Sequence, residues 1–557
     1  MLIKNIVIIL FATTFMFSCK GSGKNKNSEE VLQKEITKEE TVKKEVDLSI
    51  YGDALSSSSI AEPINLIPAI SSDSASHQVA GYIYNGLVKY DKDLNLTGDL
   101  ASKWEISKDN KSITFYLKKG VKWHDGVEFT AEDVKFTYEF MISDDTPTSY
   151  DGDFRKIKDF QVIDDYTVKV TYDKPYAPAL NSWGMWIMPS HLLKNTSATK
   201  STLQRKPIGT GPYILDEWDT GKSITLKAFD DYFEGKPKIE RIIFRIIPDQ
   251  ATQFMELLNG SIDIMGLNPM QAAKQTSNSR YINQYNTYSY LDSAYTYVGY
   301  NLRKAPFDDV LVRRALSYAT PKEDIVNGII FGKGQVATGP YKPNTYWYNP
   351  NVERYDYNIE KAKSLLAQAG YKDSNNDGIL EKNGKKLQFD LITNQGNTTR
   401  SQIAEILQRS WAEIGVKVNI RILEWATFIN EYINKGNFDA IVMGWNIVQD
   451  PDIFDVWSSS RCGGNGLNFI CYKNEEVDRL LEVGQSTYDN AERKKAYDKI
   501  QEILAEDAPY TFLYVPDSNT ALSKRFRNIN PAPAGISYNF IDWYVPKEEQ
   551  KYYFVVE

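Results

Sequence analysis

Apolar residues recur along this chain in two rhythms that take turns. Short runs with every second residue apolar predict strands at 113–117, 168–172, 224–228, 242–247, 416–423 and 439–444. Runs spaced at three and four residues predict helices over 76–88, 131–141, 250–259, 309–318, 359–369, 401–414 and 491–507. A further strand begins at 47–52 and is expected to end in a Ser-rich loop at 56–59. Strands interleaved with helices argue for α/β layers. No repeat of 20–50 residues is visible, and no Pro/Gly-rich linker cuts the chain after residue 47. The domains are therefore expected to be discontinuous, with the chain crossing between them more than once.

The start of the chain has a different pattern. Lys4 precedes twelve uncharged, mostly apolar residues, Ile6 to Phe17. A membrane-spanning helix needs about 20, so this is read as a signal-peptide core spanning residues 1–18. Met16-Phe17-Ser18-Cys19 resembles a bacterial lipobox. That resemblance implies cleavage before Cys19 and acylation of its thiol, where two or three chains anchor stably and one is marginal. An ordinary secretory signal with an incidental cysteine is the alternative. Residues 19–46, rich in Lys, Glu, Asn and Ser, cannot bury enough surface to offset ordering entropy and read as a disordered tether.

Composition narrows the class. The 557 residues are 42% hydrophobic and 25% charged, the balance of a soluble protein of two to four domains. The net charge is −8, and loss of residues 1–18 removes only Lys4. No basic face for nucleic acid is present. Three histidines, His77, His124 and His191, leave little room for a His-rich metal site or a His-based triad. Aromatics at 13% favour a protein that binds its ligand with flat amphipathic surfaces. Beyond Cys19 only Cys462 and Cys471 remain. In an oxidising compartment they are expected to form a disulfide, contributing about 2.5–3 kcal/mol in the chain-entropy model. A metal-binding pair is the rival, and it lacks further ligands nearby.

Other chemistry is mostly missing. Gly221-Lys222-Ser223 looks like the end of a P-loop, but Asp216 stands where its first glycine belongs. The run from Asp373 to Gly378 resembles the start of an EF-hand loop, but Gly384 replaces the bidentate glutamate, so it reads as a β-turn. HExxH, GxSxG and a strand-following GxGxxG are absent from the sequence. No catalytic residue, cofactor or metal is expected.

Five segments carry a family resemblance. Leu100 to Phe140 reads LASKWEISKDNKSITFYLKKGVKWHDGVEFTAEDVKFTYEF. It is followed in order by Gly209-Thr-Gly-Pro-Tyr213, by Pro306-Phe307-Asp308 with Val312-Arg313-Arg314-Ala315-Leu316, by Gly415-Val416 leading to Trp425, and by Phe438-Asp439-Ala440 leading to Gly444-Trp445. Together they resemble the extracellular solute-binding proteins of peptide and nickel ABC importers, from about residue 47 to the end. In physical terms these segments read as scaffold: Thr130 as an N-cap with Asp133 as its partner, His124 as a turn residue, and Gly209 to Pro212 as a tight turn.

The resemblance implies an α/β, two-lobed periplasmic-binding-protein fold of type II, large peptide-binding subgroup. Lobe I is expected from 47–88, 209–305 and 512–557, an extra lobe from 89–208, and lobe II from 306–511. A hinge is implied near 300–305 and 509–515, with ligand enclosed by closure of the lobes. The segment 443–471 is the expected ligand wall, with Trp445, Asp450, Asp452 and Trp457, joined by Trp425 and Asn301. Two departures stand out. Short-peptide binders place an aspartate three residues after this tryptophan, where Val448 stands, and an arginine in the region occupied by Asn394-Gln395-Gly396-Asn397. Both charge clamps look absent, and Asp450 or Asp452 is expected to substitute for the amine partner.

The expected function is that of a lipid-anchored, extracytoplasmic substrate-binding subunit, monomeric, that captures oligopeptides and delivers them to an ABC permease with a separate ATPase. The alternative keeps the scaffold and changes the solute to an oligosaccharide or a nickel chelate. A secreted hydrolase is a third class, disfavoured because no nucleophile motif is present.

Overall fold

A computed structural model describes residues 48–447, 449–464 and 466–554. The expected signal segment, Cys19 and the tether lie outside the described residues, as does Val448. The folded body opens with the strand Gly52–Ser59, parallel to Ile239–Ile246, and the sheet continues antiparallel through Ser223–Ala228 to Tyr213–Asp219. The serines expected in a loop at 56–59 are ladder residues: Ser56 to Ser59 pair with Ile243 to Ile246. Tertiary pairing overrides their weak strand preference, and the Ser56 amide also donates to Asp263 Oδ2 at 3.0 Å.

The helix expected over 76–88 is shorter, Ser74–Ala80. What stops it is the turn at 209–213, whose Gly211 and Tyr213 amides take the carbonyls of Ile83 and Tyr82. The approach is so close that a Cβ on Gly209 would lie 1.8 Å from the Ile83 carbonyl oxygen. Glycine is required there by contact between backbones. His124 fastens the same turn, its Nδ1 accepting from the Gly209 amide at 3.2 Å and its Nε2 donating to the Gly211 carbonyl at 2.9 Å.

A four-stranded antiparallel sheet, in the order Ala101–Ile106, Ser112–Leu117, Thr167–Tyr172, Ile157–Asp164, carries the helix Ala131–Ile142. That helix starts with a capping box of Thr130 and Asp133. Its core is continuous with that of the first sheet, joining Phe115 and Trp183 to Leu55, Tyr213 and Trp543.

The second half of the chain builds its own strands. Lys417–Leu423, Gln388–Asn394 and Ala440–Asn446 run parallel, and Ala294–Tyr300 pairs antiparallel with the last. Alternate residues point to opposite faces. Ala440 and Val442 pack with Leu407 and Trp411 on one side, and Ile441 and Met443 with Tyr497 and Ile500 on the other.

One strand belongs to both halves. Tyr510–Ser523 pairs through Tyr510 to Tyr514 with Gly299 to Thr296, and through Asp517 to Ser523 with Leu291 to Tyr285. The strands Tyr285–Leu291 and Ala294–Tyr300 are separated only by Asp292 and Ser293. Two chain segments therefore cross between the sheets at one level, 291–294 beside 514–517. The implied hinge segment 300–305 lies at the far end of Ala294–Tyr300, where the Asn301 amide donates to the Asp439 carbonyl.

Candidate ligand cleft

In an open α/β sheet, ligands gather at the carboxyl ends of parallel strands. Here those ends are Asn394 and the stretch from Gly444 to Asn446. Among the described residues, the first half of the protein meets the second at two hydrogen-bonded patches near these strand ends and beyond them. In one, Thr398 Oγ1 donates to Gln250 Oε1 at 3.0 Å and Trp425 Nε1 to Asp73 Oδ1 at 3.3 Å. In the other, Arg461 donates to Asp151 at 2.7 Å and to the Ser149 carbonyl at 2.6 Å, and the Tyr488 hydroxyl donates to the Tyr176 carbonyl at 2.8 Å.

Trp445 is half-buried near the end of its strand, opposite Tyr295. Its ring stacks on Phe469 with centroids 5.5 Å apart and planes 15° apart, and its indole N–H donates to the Tyr510 hydroxyl at 3.2 Å. Trp425 is also half-buried, presented by a turn that Glu424 caps through the amides of Ala426 and Thr427. These two residues stay together as candidate wall.

Two expected ligand residues belong to the interior instead. Trp457 is 1% exposed and packs on Tyr510 at 4.7 Å between centroids. The short helix Phe454–Trp457 turns it inward. Asn301 is buried, with its amide nitrogen donating to the carbonyls of Gly436 and Phe438 and its oxygen accepting from Arg303 Nε. It ties together loops at the opposite end of the strand.

The Asp-Pro-Asp turn is likewise occupied. Asp450 accepts both terminal nitrogens of Arg493, at 2.6 and 3.1 Å, and Asn181 Nδ2 at 3.1 Å. Asp452 accepts from Gln485 Nε2 at 2.8 Å and caps the following turn at the Phe454 amide. Burial, then the neighbouring Asp153, push the Asp452 carboxyl well above the usual carboxylate range. Burial and Asp153 also push Asp455 up to about 7, against the pull of Arg461. The oxygens of Asp450 and Asp452, expected to meet a ligand amine, thus already have internal partners. Cys462 and Cys471 form the expected disulfide.

Arg400 was not among the expected residues. Asn397 caps the helix Thr398–Ala412 by accepting from the Arg400 amide at 3.0 Å, which places this arginine in the first turn, directly after the Asn394 strand end. Its Nη1 donates to Asn394 Oδ1 at 2.9 Å. A Cβ on Gly444 would lie 3.0 Å from its Nη2, so the guanidinium rests against the bare backbone of Gly444. The sequence signal is an Asn cap with an arginine three residues on, at a strand-to-helix junction. Among the described residues no group of three or more His, Cys, Asp or Glu side chains is placed to hold a metal ion, and no helix is long and apolar enough to cross a membrane.

Known proteins share this architecture. The oligopeptide-binding protein AppA of Bacillus subtilis is 35% identical over 554 residues, covering 97% of this chain and 98% of its own. The structure of AppA from Bacillus subtilis in complex with a nonapeptide superposes with a TM-score of 0.85 at 34% identity, over 89% of this chain and 99% of that one. NikZ from Campylobacter jejuni in complex with Ni(L-His) gives 0.80 at 30% identity, over 88% and 99%. The two-lobed α/β fold expected from the sequence is the one these structures share. Residues 95–466 match the model of bacterial extracellular solute-binding proteins, family 5 Middle, and the chain belongs to that family.

Proposed function

We propose that this protein is the substrate-binding subunit of an ABC importer, capturing oligopeptides in the cleft between its lobes and delivering them to the permease. The observation that carries this reading is likeness along almost the whole chain to AppA, whose structure holds a nonapeptide. Trp445, half-buried near the end of its strand and stacked on Phe469, offers an aromatic surface suited to a peptide. In this reading the lobe boundary falls earlier than the expected 305/306, with the strand Ala294–Tyr300 counted with lobe II, to which its pairing with Ala440–Asn446 ties it, and the pivot at the crossing of 291–294 and 514–517. Acylated Cys19 and the tether hold the protein on the extracytoplasmic face of the membrane, and no catalysis is assigned.

Similarity to NikZ with its nickel–histidine ligand favours one second reading, a small chelate in the same cleft. Native purification of residues 47–557 from an oxidising compartment, followed by denaturation and mass spectrometry of released molecules, separates the two. A mixture of peptides of similar length and varied sequence is expected. A single non-peptide species would replace the peptide reading with the second.

A further inference from the structure

Three carboxyls crowd one boundary between the halves. Asp153 comes from the first half, Asp452 and Asp455 from the second. The backbones meet there too, where the Ala177 amide donates to the Gln485 carbonyl at 2.7 Å. On one side of that contact the hydroxyls of Tyr176 and Ser182 donate to Asp153; on the other, Gln485 Nε2 donates to Asp452 at 2.8 Å. Gly152, next to Asp153, comes so close to Asp455 that a Cβ on it would stand 2.6 Å from Asp455 Oδ1.

The cations of this boundary do not cover the three acids. Arg493 holds Asp450, and Arg155 holds Asp144 and Asp151. Arg461 is shared between Asp151 and Asp455, at 2.7 and 3.1 Å. Lys156 lies over the Phe454 ring, 4.8 Å from its centroid. Among the described residues neither Asp153 nor Asp452 forms an ion pair; hydroxyls and amides are their partners. The other titratable neighbours are phenols. Tyr172 and Tyr176 face Asp153, Tyr341 and Tyr497 face Asp452, Tyr150 faces Asp455, and Tyr90 and Tyr488 face Asp450. Burial raises each of them above the ordinary tyrosine value, so they stay uncharged near neutral pH.

Like charges gathered in one place resist ionising together. Burial, then the opposing Asp153, raise Asp452 and bring Asp455 to about 7. Burial also raises Asp153, against the hydrogen bonds from Ser182 and Tyr176. Because Asp153 stands on one half and the other two on its partner, part of this burial and repulsion exists only while the halves are docked.

We propose that this boundary is a proton-linked latch: docking 149–182 against 450–493 takes up a proton among Asp153, Asp452 and Asp455, and the closed form holds its ligand more tightly as pH falls. The inference rests on the peptide reading and hinged closure above, and adds to them a dependence on pH. The sign follows from carboxyls that are raised in the docked form. Their protonation favours closure fully below about 3.8, and the gain is lost as pH rises through about 7.

The test titrates the mature chain with a mixed-sequence nonapeptide pool lacking Asp, Glu and His, whose ends keep their charges between about pH 5 and 6.5. Calorimetry at about pH 6, in two buffers of different ionisation heat, gives the protons taken up per peptide bound. Wild type is expected to take up about one proton and to bind about 3- to 10-fold more tightly for each pH unit lowered across that range. D153N keeps an acceptor for Tyr176 and Ser182 but removes the opposing charge, and its uptake should fall to less than about half. D455N should lower the uptake as well. Wild type that binds the pool with no proton uptake and unchanged affinity across the range overturns the latch without any variant and leaves the peptide reading standing. So does a D153N protein that melts like wild type and keeps the full uptake. Wild type that binds nothing from the pool at any pH overturns the peptide reading itself, and this inference with it.

Discussion

Where 149–182 meets 450–493, charged groups are matched: Arg461 with Asp151, Arg493 with Asp450, and Asn181 closing the last open side of Asp450. Where 396–400 and 425 meet the strand ends, no ion pair is formed among the described residues: Thr398 meets Gln250, Trp425 donates to Asp73, and Arg400 donates to the Asn394 amide oxygen. The first patch joins its arginines to acids and also gathers Asp153, Asp452 and Asp455, where burial and mutual repulsion raise Asp452 and Asp455, whereas the second is held by single hydrogen bonds. Buried polar groups are ordinarily satisfied, so an unmatched charge beside a cleft is a stronger pointer to ligand chemistry than an acid in a matched pair. Asp450, prominent in the sequence, is an acid in such a matched pair.

Tryptophans give the largest contrast between the patches. Trp457→Ala should cost about 3–5 kcal/mol in denaturant unfolding, the range for emptying a large aromatic site. Trp445→Ala should change stability by less than about 1 kcal/mol, because its ring is only half-buried, while lowering peptide retention. Equal stability losses would erase the distinction between wall and core. Next in size is Asp450→Ala, which strands Arg493 and should cost about 3 kcal/mol. Peptide retention by the folded fraction should not change. Lost retention at unchanged stability would return Asp450 to the ligand.

The smallest effect sharpens the acidic side of the comparison. Asp455 has a folded pKa of about 7, above the ordinary 3.8, so the folded state holds its proton longer than the unfolded chain does. Its contribution favours folding below about 3.8 and is lost as pH rises toward 7. Asp455→Asn should therefore raise the melting temperature relative to wild type at pH 8, with the gain vanishing near pH 4. A gain independent of pH would mean that this carboxyl is not the titrating group.

Much of this architecture was legible because local signals agreed with the tertiary outcome. Thr130 and Asp133 predict a helix start and form one, and the alternation in 416–423 and 439–444 matches two strands of the second sheet. Signals failed where tertiary pairing decided. Ser56 to Ser59 look like a loop and form a ladder, and the helix beginning at Ser74 ends where the 209–213 turn takes the next carbonyls. The strands Tyr285–Leu291, Ala294–Tyr300 and Tyr510–Ser523 carry tyrosine, threonine and serine in place of a simple apolar alternation. At the site, the tryptophan-and-aspartate pattern revealed Trp445 but gave equal weight to Trp457 and Asp450. Which side chain faces inward depends on the short helix after Ile453 and on Arg493, forty-three residues from Asp450.

The crossing of 291–294 beside 514–517 has a mechanical consequence. Each crossing segment is clamped by ladders on both sides, which leaves Asp292, Ser293, Val515 and Pro516 as the short span between them. Even there the Asp292 amide is tied to the Pro516 carbonyl at 2.9 Å, and Gln335 and Gly334 pair with Val515 and Pro516. Were the lobes to pivot here as proposed, ladders on both sides would resist stretching and sliding and leave torsion as the main freedom. Occupancy of the cleft would then be written as an angle about one axis, and a membrane partner would have a single coordinate to read.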